Sequence, residues 1–166
     1  MISNSNFNTI IFGGGGHCAS LLCVLNENRN KKKFKIKYIV DDHIKTKKMY
    51  DLKIITSKEF SLLNIYPKKY NVILAIGDNI KRKKIYISLK KKGFNLPNII
   101  SDKAIVNDIF NYGDANQFLN FTFTGALSEI GNNNIFNTSS VVEHNSIIGS
   151  HNHIAPNATI LGNVKI

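Results

Sequence analysis

The sequence contains few cysteines and no long apolar segment. Two cysteines, Cys18 and Cys23, occur in 166 residues, five positions apart and without a spacing typical of metal ligands. We therefore expect both thiols to be reduced packing residues, and we predict no zinc or other metal site. No charged N-terminal segment leads into an apolar run, and no apolar stretch is long enough to cross a bilayer. These absences predict a cytoplasmic protein without membrane insertion.

Acidic residues are scarce and unevenly placed. The chain has 22 Lys and Arg against 11 Asp and Glu, and 21 of the basic residues precede Ala104. Such a charge attracts phosphate-bearing ligands, among them nucleic acid. However, the clusters Lys31–Lys33, Lys81–Lys84 and Lys90–Lys92 lie at predicted helix ends and loops, and aromatic residues do not alternate with basic ones as in RNA-binding proteins. We interpret the clusters as solvated surface and predict no nucleic-acid partner.

A six-residue register runs from Tyr112 to the end of the chain. It is occupied by Tyr112, Phe118, Thr124, Ile130, Phe136, Val142, Ile148, Ile154, Ile160 and Ile166. Nine of these ten residues are apolar, and small or polar residues such as Asn116 and Ser146 recur four positions after them. Four glycines, at positions 113, 125, 131 and 149, directly follow register residues, as expected where the chain turns a tight corner.

The period of six excludes the common secondary structures. A helix requires apolar residues every 3.6 positions, and an ordinary strand alternates every two. A fixed short period instead predicts a parallel β-helix, in which stacked coils bury a continuous row of aliphatic side chains. We place this domain at residues 104–166.

Glycine or acidic residues follow each strand predicted in the first hundred residues. The predicted strands are Thr9–Phe12, Tyr38–Val40 and Val72–Ile76, and they are followed by Gly13–His17, Asp41–Asp42 and Gly77. A helix is predicted after the first glycine loop, and another begins at a cap on Asn79 and stops at Gly93. This order predicts a Rossmann-like α/β domain over residues 1–103, with a doubly wound parallel sheet and ligands at the carboxyl ends of its strands.

The glycine loop favours a nucleotide-type ligand. Without a Cβ atom, the loop lets amide groups approach phosphate at a helix N-terminus, and Asp41 and Asp42 would accept hydrogen bonds from a ribose or a base. Two alternatives remain open. The segment from Gly14 to Ala19 also reads as the G-x-G-x-x-A pattern of a dinucleotide-dependent enzyme, and the glycines could serve a purely structural turn.

Together these motifs resemble one family, the bacterial nucleotide-sugar acetyltransferases. The similarity is greatest to UDP-4-amino-sugar N-acetyltransferases of the UDP-N-acetylbacillosamine pathway, with sialic acid O-acetyltransferases as relatives. It is tightest over Asn137–His144 and Gly162–Ile166, extends to the IKRKKIY segment at Ile80–Tyr86, and covers nearly the whole chain. The resemblance implies a left-handed β-helix that assembles as a homotrimer.

The resemblance also implies roles for individual residues. It assigns a UDP-amino-sugar to the N-terminal domain, at Gly15, Gly16, His17, Asp41, Asp42 and Gly77. Acetyl-CoA would lie between neighbouring β-helices, with His153 and Gly162 as its contacts. His144 matches the general base that accepts a proton from the sugar amine, a task that suits an imidazole because its ordinary pKa is near neutrality. Asn145, the other candidate catalytic residue, stands where close relatives have a carboxylate.

The position at which the sequence ends bears on the predicted β-helix domain. Chains of the family continue through further coils beyond the position of Ile166, so the resemblance predicts a C-terminally truncated, incomplete β-helix domain. The functional prediction is an acetyl-CoA-dependent acetyltransferase acting on the 4-amino group of a UDP-linked amino sugar. The alternatives are a sialic acid O-acetyltransferase and a catalytically silent nucleotide-sugar-binding module.

Overall fold

The computed structural model of the protein describes residues 7–106 and 111–166, apart from the side chains of residues 28 and 29. These residues form two compact units. The first comprises the chain up to Ile76 together with Lys84–Pro97, and the second comprises Gly77–Lys83 together with Asn98–Ile166. The predicted domain boundary after residue 103 stays a prediction. Among the described residues, no helix has the length and apolar character required to cross a membrane.

A five-stranded sheet forms the centre of the first unit. Its elements are β1 (Phe7–Phe12), α1 (Gly16–Leu25), α2 (Asn28–Lys31), β2 (Phe34–Val40), β3 (Lys48–Met49), β4 (Leu52–Ile55), α3 (Ser57–Leu62), a 3₁₀ turn (Pro67–Lys69) and β5 (Tyr70–Leu74). The strand order is β3-β4-β2-β1-β5, and every pairing is parallel except that of β3 with β4. The predicted parallel α/β sheet is therefore confirmed, with an antiparallel edge strand that the sequence analysis did not include.

Strand β1 lies between β2 and β5, which explains its uninterrupted apolar sequence. Ile10 and Ile11 are both fully buried. Because neighbouring side chains of a strand point to opposite faces, both faces of the sheet are covered at this strand. The carboxyl ends of β1, β2, β4 and β5 share one edge of the sheet, and the loops that follow them lie along that edge.

The boundaries differ from the sequence prediction at several ends. Strand β2 begins at Phe34 and is longer than predicted, whereas β5 spans Tyr70–Leu74 and so lies two residues before its predicted position. Helix α4 spans Asn79–Lys91. Asp78, not Asn79, caps it, because the Asp78 Oδ1 atom accepts a hydrogen bond of 2.8 Å from the backbone of Lys81. Gly93 follows the helix with a φ of +82°, as a C-terminal stop requires.

The two cysteines lie in different environments. Cys18 is buried, and burial, assisted by the charge of Asp41, raises the pKa of its thiol to about 12. Cys23 is exposed. The prediction that both are packing residues is therefore wrong for Cys23, because the surface of α1 that carries it is not covered.

The second unit is a parallel β-helix with two-residue strands. These are β6 (Ile99–Ile100), β7 (Ile105–Val106), β8 (Gln117–Phe118), β9 (Phe123–Thr124), β10 (Glu129–Ile130), β11 (Ile135–Phe136), β12 (Val141–Val142), β13 (Ile147–Ile148), β14 (His153–Ile154) and β15 (Thr159–Ile160). They form three parallel sheets, of orders β10-β13, β14-β11-β8-β6 and β15-β12-β9-β7. Partners such as Phe118 and Phe136 are 18 residues apart, so each coil consists of three hexads.

The predicted register forms the core of these coils. A buried cluster contains Phe118, Ile130, Phe136, Val142, Ile148, Ile154 and Ile160. The rings of Phe118 and Phe136 stack with centroids 4.7 Å apart. The hexad interpretation is confirmed, whereas the left-handed twist of the coils stays a prediction.

The glycines after register residues do not form the corners. The residues with positive φ lie two positions later, and nine of them recur from Ala115 to Asn163. Gly125 illustrates what the glycines do, because a Cβ atom there would lie 2.6 Å from the backbone nitrogen of His144 in the next coil. Close stacking of coils, and not the corner, explains these glycines.

The small or polar positions lie inside the corners. At one corner Asn98, Asn116, Asn134 and Asn152 form a ladder, in which each Oδ1 accepts the backbone N–H of the next asparagine at 2.7–2.9 Å. These bonds satisfy buried backbone donors that no strand pairing reaches.

Candidate functional site

His144 lies in the turn between β12 and β13, with its side chain exposed. The side-chain amide of Asn145 contacts the imidazole of His144, and its Nδ2 atom is 3.0 Å from Nδ1 of that ring. Asn145 has a φ of +57°, which asparagine adopts more readily than most residues. The corner geometry therefore places the amide against the imidazole.

His144 can act as a base through Nε2 only in one tautomer, and Asn145 is placed to stabilise that tautomer. For Nε2 of His144 to accept a proton, Nδ1 must carry the other proton and donate it to an acceptor. Asn145 supplies that acceptor when its amide presents Oδ1, since the oxygen and nitrogen ends exchange by rotation about the last side-chain bond. The amide fixes the orientation of the ring but contributes no charge.

Gly162 lies in the coil that follows His144. An added Cβ atom at Gly162 would be 2.8 Å from Cε1 of the His144 ring. The residue expected to contact acetyl-CoA thus borders the candidate base.

His153 and Gly77 are brought together in the second unit. The Nε2 atom of His153 is 3.0 Å from Nδ2 of Asn137, and the ring also hydrogen-bonds to the backbone of Gly77. Burial lowers the pKa of His153, the bond to Gly77 opposes this, and the charge of Arg82 adds to the lowering. A neutral ring is therefore favoured near pH 7.

Arg82 was missed by the sequence analysis. Its side chain has no exposed surface and donates to the backbone oxygens of Gly77, His151 and Asn152 at 2.9–3.1 Å. It also bonds Asn79 Oδ1 at 2.8 Å. Burial lowers the pKa of Arg82 to about 10, with Asp78 opposing. The interpretation of Lys81–Lys84 as solvated surface is wrong at this position, and no signal in the sequence indicated it, because most of the acceptors are backbone oxygens.

Asp41 organises the glycine loop of the first unit. Its Oδ2 atom accepts the backbone N–H of Gly14 at 2.8 Å, and its Oδ1 atom accepts those of His43 and Ile44 at 2.8 and 3.0 Å. These bonds join the loops after β1 and β2. The predicted role of Asp41 toward a ribose or base stays a prediction beside this structural one.

The structure gives different reasons for glycine at the four positions of the loop. Gly13 has a φ of +98°, and a Cβ atom there would collide with the Ala75 carbonyl oxygen. At Gly14 the Cβ would be 3.0 Å from Ile44. At Gly15 and Gly16 no protein atom lies within 4 Å of the Cβ position. The protein's own packing therefore requires glycine at position 13, crowds a side chain at position 14 against the movable end of Ile44, and leaves space at Gly15 and Gly16, beside His17 at the start of α1.

Asp42 anchors helix α3. Its two carboxylate oxygens accept the side-chain hydroxyl and the backbone N–H of Ser57, both at 2.7 Å. These bonds lower the pKa of Asp42. The carboxylate therefore binds the helix that follows β4, and its predicted contact with a ligand stays a prediction.

A cavity of about 650 Å³ opens beside Asp41, at the carboxyl ends of β2 and β4. Its charged lining comprises Asp41, Lys45, Lys47, Lys48, Lys53 and Glu59. The excess of ammonium groups favours an anionic ligand at this edge of the sheet. The sequence analysis did not single out these lysines.

The lowered pKa values of His151 and His153 predict that the stability of the protein depends on pH. The pKa of His151 is lowered by burial, then by Lys83 and Arg82, and that of His153 is lowered as well. The unfolded chain therefore binds more protons than the folded one just below the ordinary imidazole pKa. We expect the free energy of unfolding to decrease from pH 7.5 to 5.5, as measured by urea titration. His153→Gln should make this decrease smaller, and an unchanged slope would contradict the prediction.

Two family models match separate parts of this chain. Residues 8–89 match the PglD N-terminal domain, and residues 128–162 match the bacterial transferase hexapeptide (six repeats). The first match contains the glycine loop, and the second contains His144 and Gly162. The chain therefore combines a PglD N-terminal domain with hexapeptide repeats of the bacterial transferase type, and it is an acyltransferase.

Solved structures resemble this acyltransferase over nearly its whole length. The acetyltransferase domain of PglB from Neisseria gonorrhoeae has a TM-score of 0.87 at 23% identity, over 97% of this chain and 77% of that one. PerB from Caulobacter crescentus has a TM-score of 0.83 at 26% identity, over 97% and 74%. WeeI from Acinetobacter baumannii has a TM-score of 0.82 at 21% identity, over 95% and 73%. The predicted resemblance to acetyltransferases is confirmed.

Proposed function

We propose that this acyltransferase transfers the acetyl group of acetyl-CoA to the 4-amino group of a UDP-linked amino sugar in bacterial glycan biosynthesis. The observation that carries the proposal is the presence, in one chain, of an open glycine loop and an exposed imidazole on a hexapeptide coil. Relatives support it, because the PglB domain was solved with acetyl coenzyme A and PerB with CoA and GDP-perosamine. The proposal includes the predicted homotrimer and cytoplasmic location.

The first unit supplies the nucleotide-binding part of the proposal. At the start of α1, Gly15 and Gly16 leave space for a ligand against the backbone, and the first turn contains no acidic residue that would repel phosphate. Amide groups at a helix N-terminus and the helix dipole both favour an anion there. The lysines of the cavity beside Asp41 add a positive field.

The second unit supplies the base. The sugar amine must lose a proton as its nitrogen attacks the thioester carbonyl of acetyl-CoA. Nε2 of His144 accepts that proton while Asn145 holds the proton on Nδ1. The C–N bond forms, the C–S bond breaks, and the CoA thiolate leaves and is protonated. The protein forms no covalent intermediate, because the thiolate is already a good leaving group.

A thiol-release assay tests the proposed reaction. The full chain is incubated with acetyl-CoA and a 4-amino sugar linked to UDP or to GDP, with sialic acid as a third acceptor. We expect release of CoA with the UDP-linked amine. Release of CoA with the GDP-linked sugar alone would show that the nucleotide of the acceptor is GDP and not UDP. Release of CoA with sialic acid would support O-acetylation. Calorimetric binding of the nucleotide-sugar without CoA release would support the silent binding module.

Gly16→Ala separates a ligand-binding glycine from a structural one. Gly16 is the first residue of α1, its φ is not in the left-handed region, and a methyl group there meets no protein atom. Alanine should therefore keep or raise the free energy of unfolding, by up to about 1 kcal/mol, because it favours the helix. Binding of the nucleotide-sugar should weaken about tenfold or more, since the methyl group occupies the space proposed for phosphate.

Calorimetry and urea unfolding of the same variant measure both effects. Ser20→Ala, one turn further along the exposed side of α1, is the matched control and should bind as the wild type does. If Gly16→Ala binds nucleotide-sugar with unchanged affinity, the glycine loop does not contact the ligand.

A further inference from the structure

Gly162 occupies a turn position that carries a side chain in every preceding hexad from residue 114 onward. The equivalent residues are Asp114, Asn120, Ala126, Asn132, Thr138, His144, Ser150 and Pro156. Gly162 has no positive φ. The backbone of this turn therefore does not require glycine, and the reason for glycine must lie in its surroundings.

A Cβ atom added to Gly162 would meet the side chain of the candidate base, His144. A Cβ atom on Gly162 would lie 2.8 Å from Cε1, 2.9 Å from Nε2 and 3.2 Å from Nδ1 of His144. These are the three nearest atoms, and all belong to the side of the ring that bears the nitrogens. Carbon atoms do not approach that closely, so a methyl group at 162 and the imidazole of His144 exclude each other from their present positions.

The two coils cannot separate to relieve such a contact. The Asn163 backbone donates to the His144 carbonyl at 3.0 Å, and the Glu143 backbone donates to the Ile160 carbonyl at 2.9 Å. Strands β12 and β15 pair beside them. The backbone is fixed on both sides of the contact, whereas the imidazole turns about two single bonds, so the ring moves first.

Gly125 shows the opposite case. Its added Cβ atom would meet the backbone of Glu143 and His144, at 2.6–3.1 Å. Backbone atoms within stacked coils cannot rotate away. A methyl group at 125 should therefore act on stability, whereas a methyl group at 162 should act on the position of one ring.

We propose that Gly162 is a positioning residue for His144. Its missing side chain leaves the space in which the imidazole lies, so that Asn145 reaches Nδ1 and Nε2 keeps the direction required to accept the amine proton. The sequence interpretation gave Gly162 a different role, a contact with acetyl-CoA. The effect on turnover rests on the proposed acetyltransferase function, whereas the placement of the ring does not.

The first test observes the ring in the ligand-free full chain. Nitrogen-15 NMR spectra of the imidazole are assigned by comparison with His144→Ala. In Gly162→Ala we expect the Nδ1 and Nε2 shifts of His144 to change and the Asn145 contact to be lost, while the shifts of His153 stay the same. Superimposable His144 signals in the two proteins would overturn the proposal.

The second test is a double-mutant cycle in urea unfolding. If the methyl group at 162 conflicts with the imidazole, Gly162→Ala should destabilise the wild type more than it destabilises His144→Ala. This comparison holds even where the single variant folds poorly, because the double variant lacks the ring. Equal costs in both backgrounds would mean that the methyl group strains the coil and not the ring.

The third test measures turnover. We expect Gly162→Ala to lower kcat by about 10–100-fold, the usual effect of a small misplacement of a reacting group, with KM for acetyl-CoA nearly unchanged. Gly149→Ala, whose Cβ would lie 3.1 Å from the Ile166 carbonyl oxygen, is the control for coil crowding and should keep the wild-type kcat. A higher KM with unchanged ring signals would support the cofactor contact and overturn positioning. A wild type inactive with all acceptors would refute the proposed function, and the ring signals would still decide the placement.

Discussion

Replacing His144 with alanine is expected to lower kcat for acetyl transfer by about 10²–10⁴, the usual contribution of a positioned acid or base. The imidazole is exposed in a turn of the β-helix, and Asn145 reaches its Nδ1 atom at 3.0 Å. Removing the ring leaves the amine without an acceptor for its proton. Stability should change little, because the lost side chain is not part of the core.

The affinity for the nucleotide-sugar should persist in this variant. The glycine loop and the cavity beside Asp41 belong to the first unit and do not include His144. Single-turnover and steady-state rates with acetyl-CoA, combined with calorimetry, separate the two effects. Thr138→Ala is the matched control, since Thr138 is exposed at the equivalent turn position one hexad earlier. If His144→Ala keeps wild-type kcat while the wild type is active, His144 is not the base.

The β-helix could be predicted almost residue by residue because its physics is repetitive. One side chain per hexad must point inward and nearly all of these are apolar, so the register from Phe118 to Ile160 is visible as a period of six. The polar inner corners are equally visible in the sequence, and the asparagine ladder explains why Asn116 and Asn134 are buried. The role of the glycines was missed, since the approach of a coil 18 residues away leaves no local signal.

The ligand-binding edge of the first unit was predicted less completely. The order of strand and loop located the glycine loop and the two aspartates, because parallel strands end at one edge of the sheet. It did not show that Asp42 would bind Ser57, or that lysines from the segment between β2 and β4 would line a cavity with Asp41. Such contacts depend on how loops fold back, and hydrophobic periodicity does not encode them.

The burial of Arg82 could not be predicted from the composition of its basic cluster. A cluster of four basic residues normally lies in solvent, and Lys81, Lys83 and Lys84 are indeed exposed. Arg82 is fully buried because backbone oxygens surround its guanidinium, and such oxygens cannot be recognised from side-chain sequence. A buried cation among carbonyl groups is stabilising only while each bond is made.

Replacing Arg82 with methionine should therefore be the most destabilising of these changes. The thioether fills similar volume but donates nothing, which leaves the oxygens of Gly77, His151 and Asn152 without the guanidinium bonds of 2.9–3.1 Å. Hydrogen bonds to charged groups contribute about 1.5–3 kcal/mol each and are not additive, so we expect a loss of about 2–4 kcal/mol in the free energy of unfolding. Arg82→Lys should lose less, because it keeps the charge without the planar fork.

Hydrogen exchange locates the effect of Arg82→Met. Amides next to the affected turns, such as that of His151, which donates to the Asn132 carbonyl at 2.8 Å, should lose protection. Amides of β1 in the first unit, such as that of Ile11, should lose less. Lys84→Met is the matched control, because Lys84 is an exposed cation on the same helix and its loss should be nearly neutral. Equal stability of the two methionine variants would show that the guanidinium bonds do not hold the turns at 133 and 151–152, and the loop at Gly77 would then need another anchor.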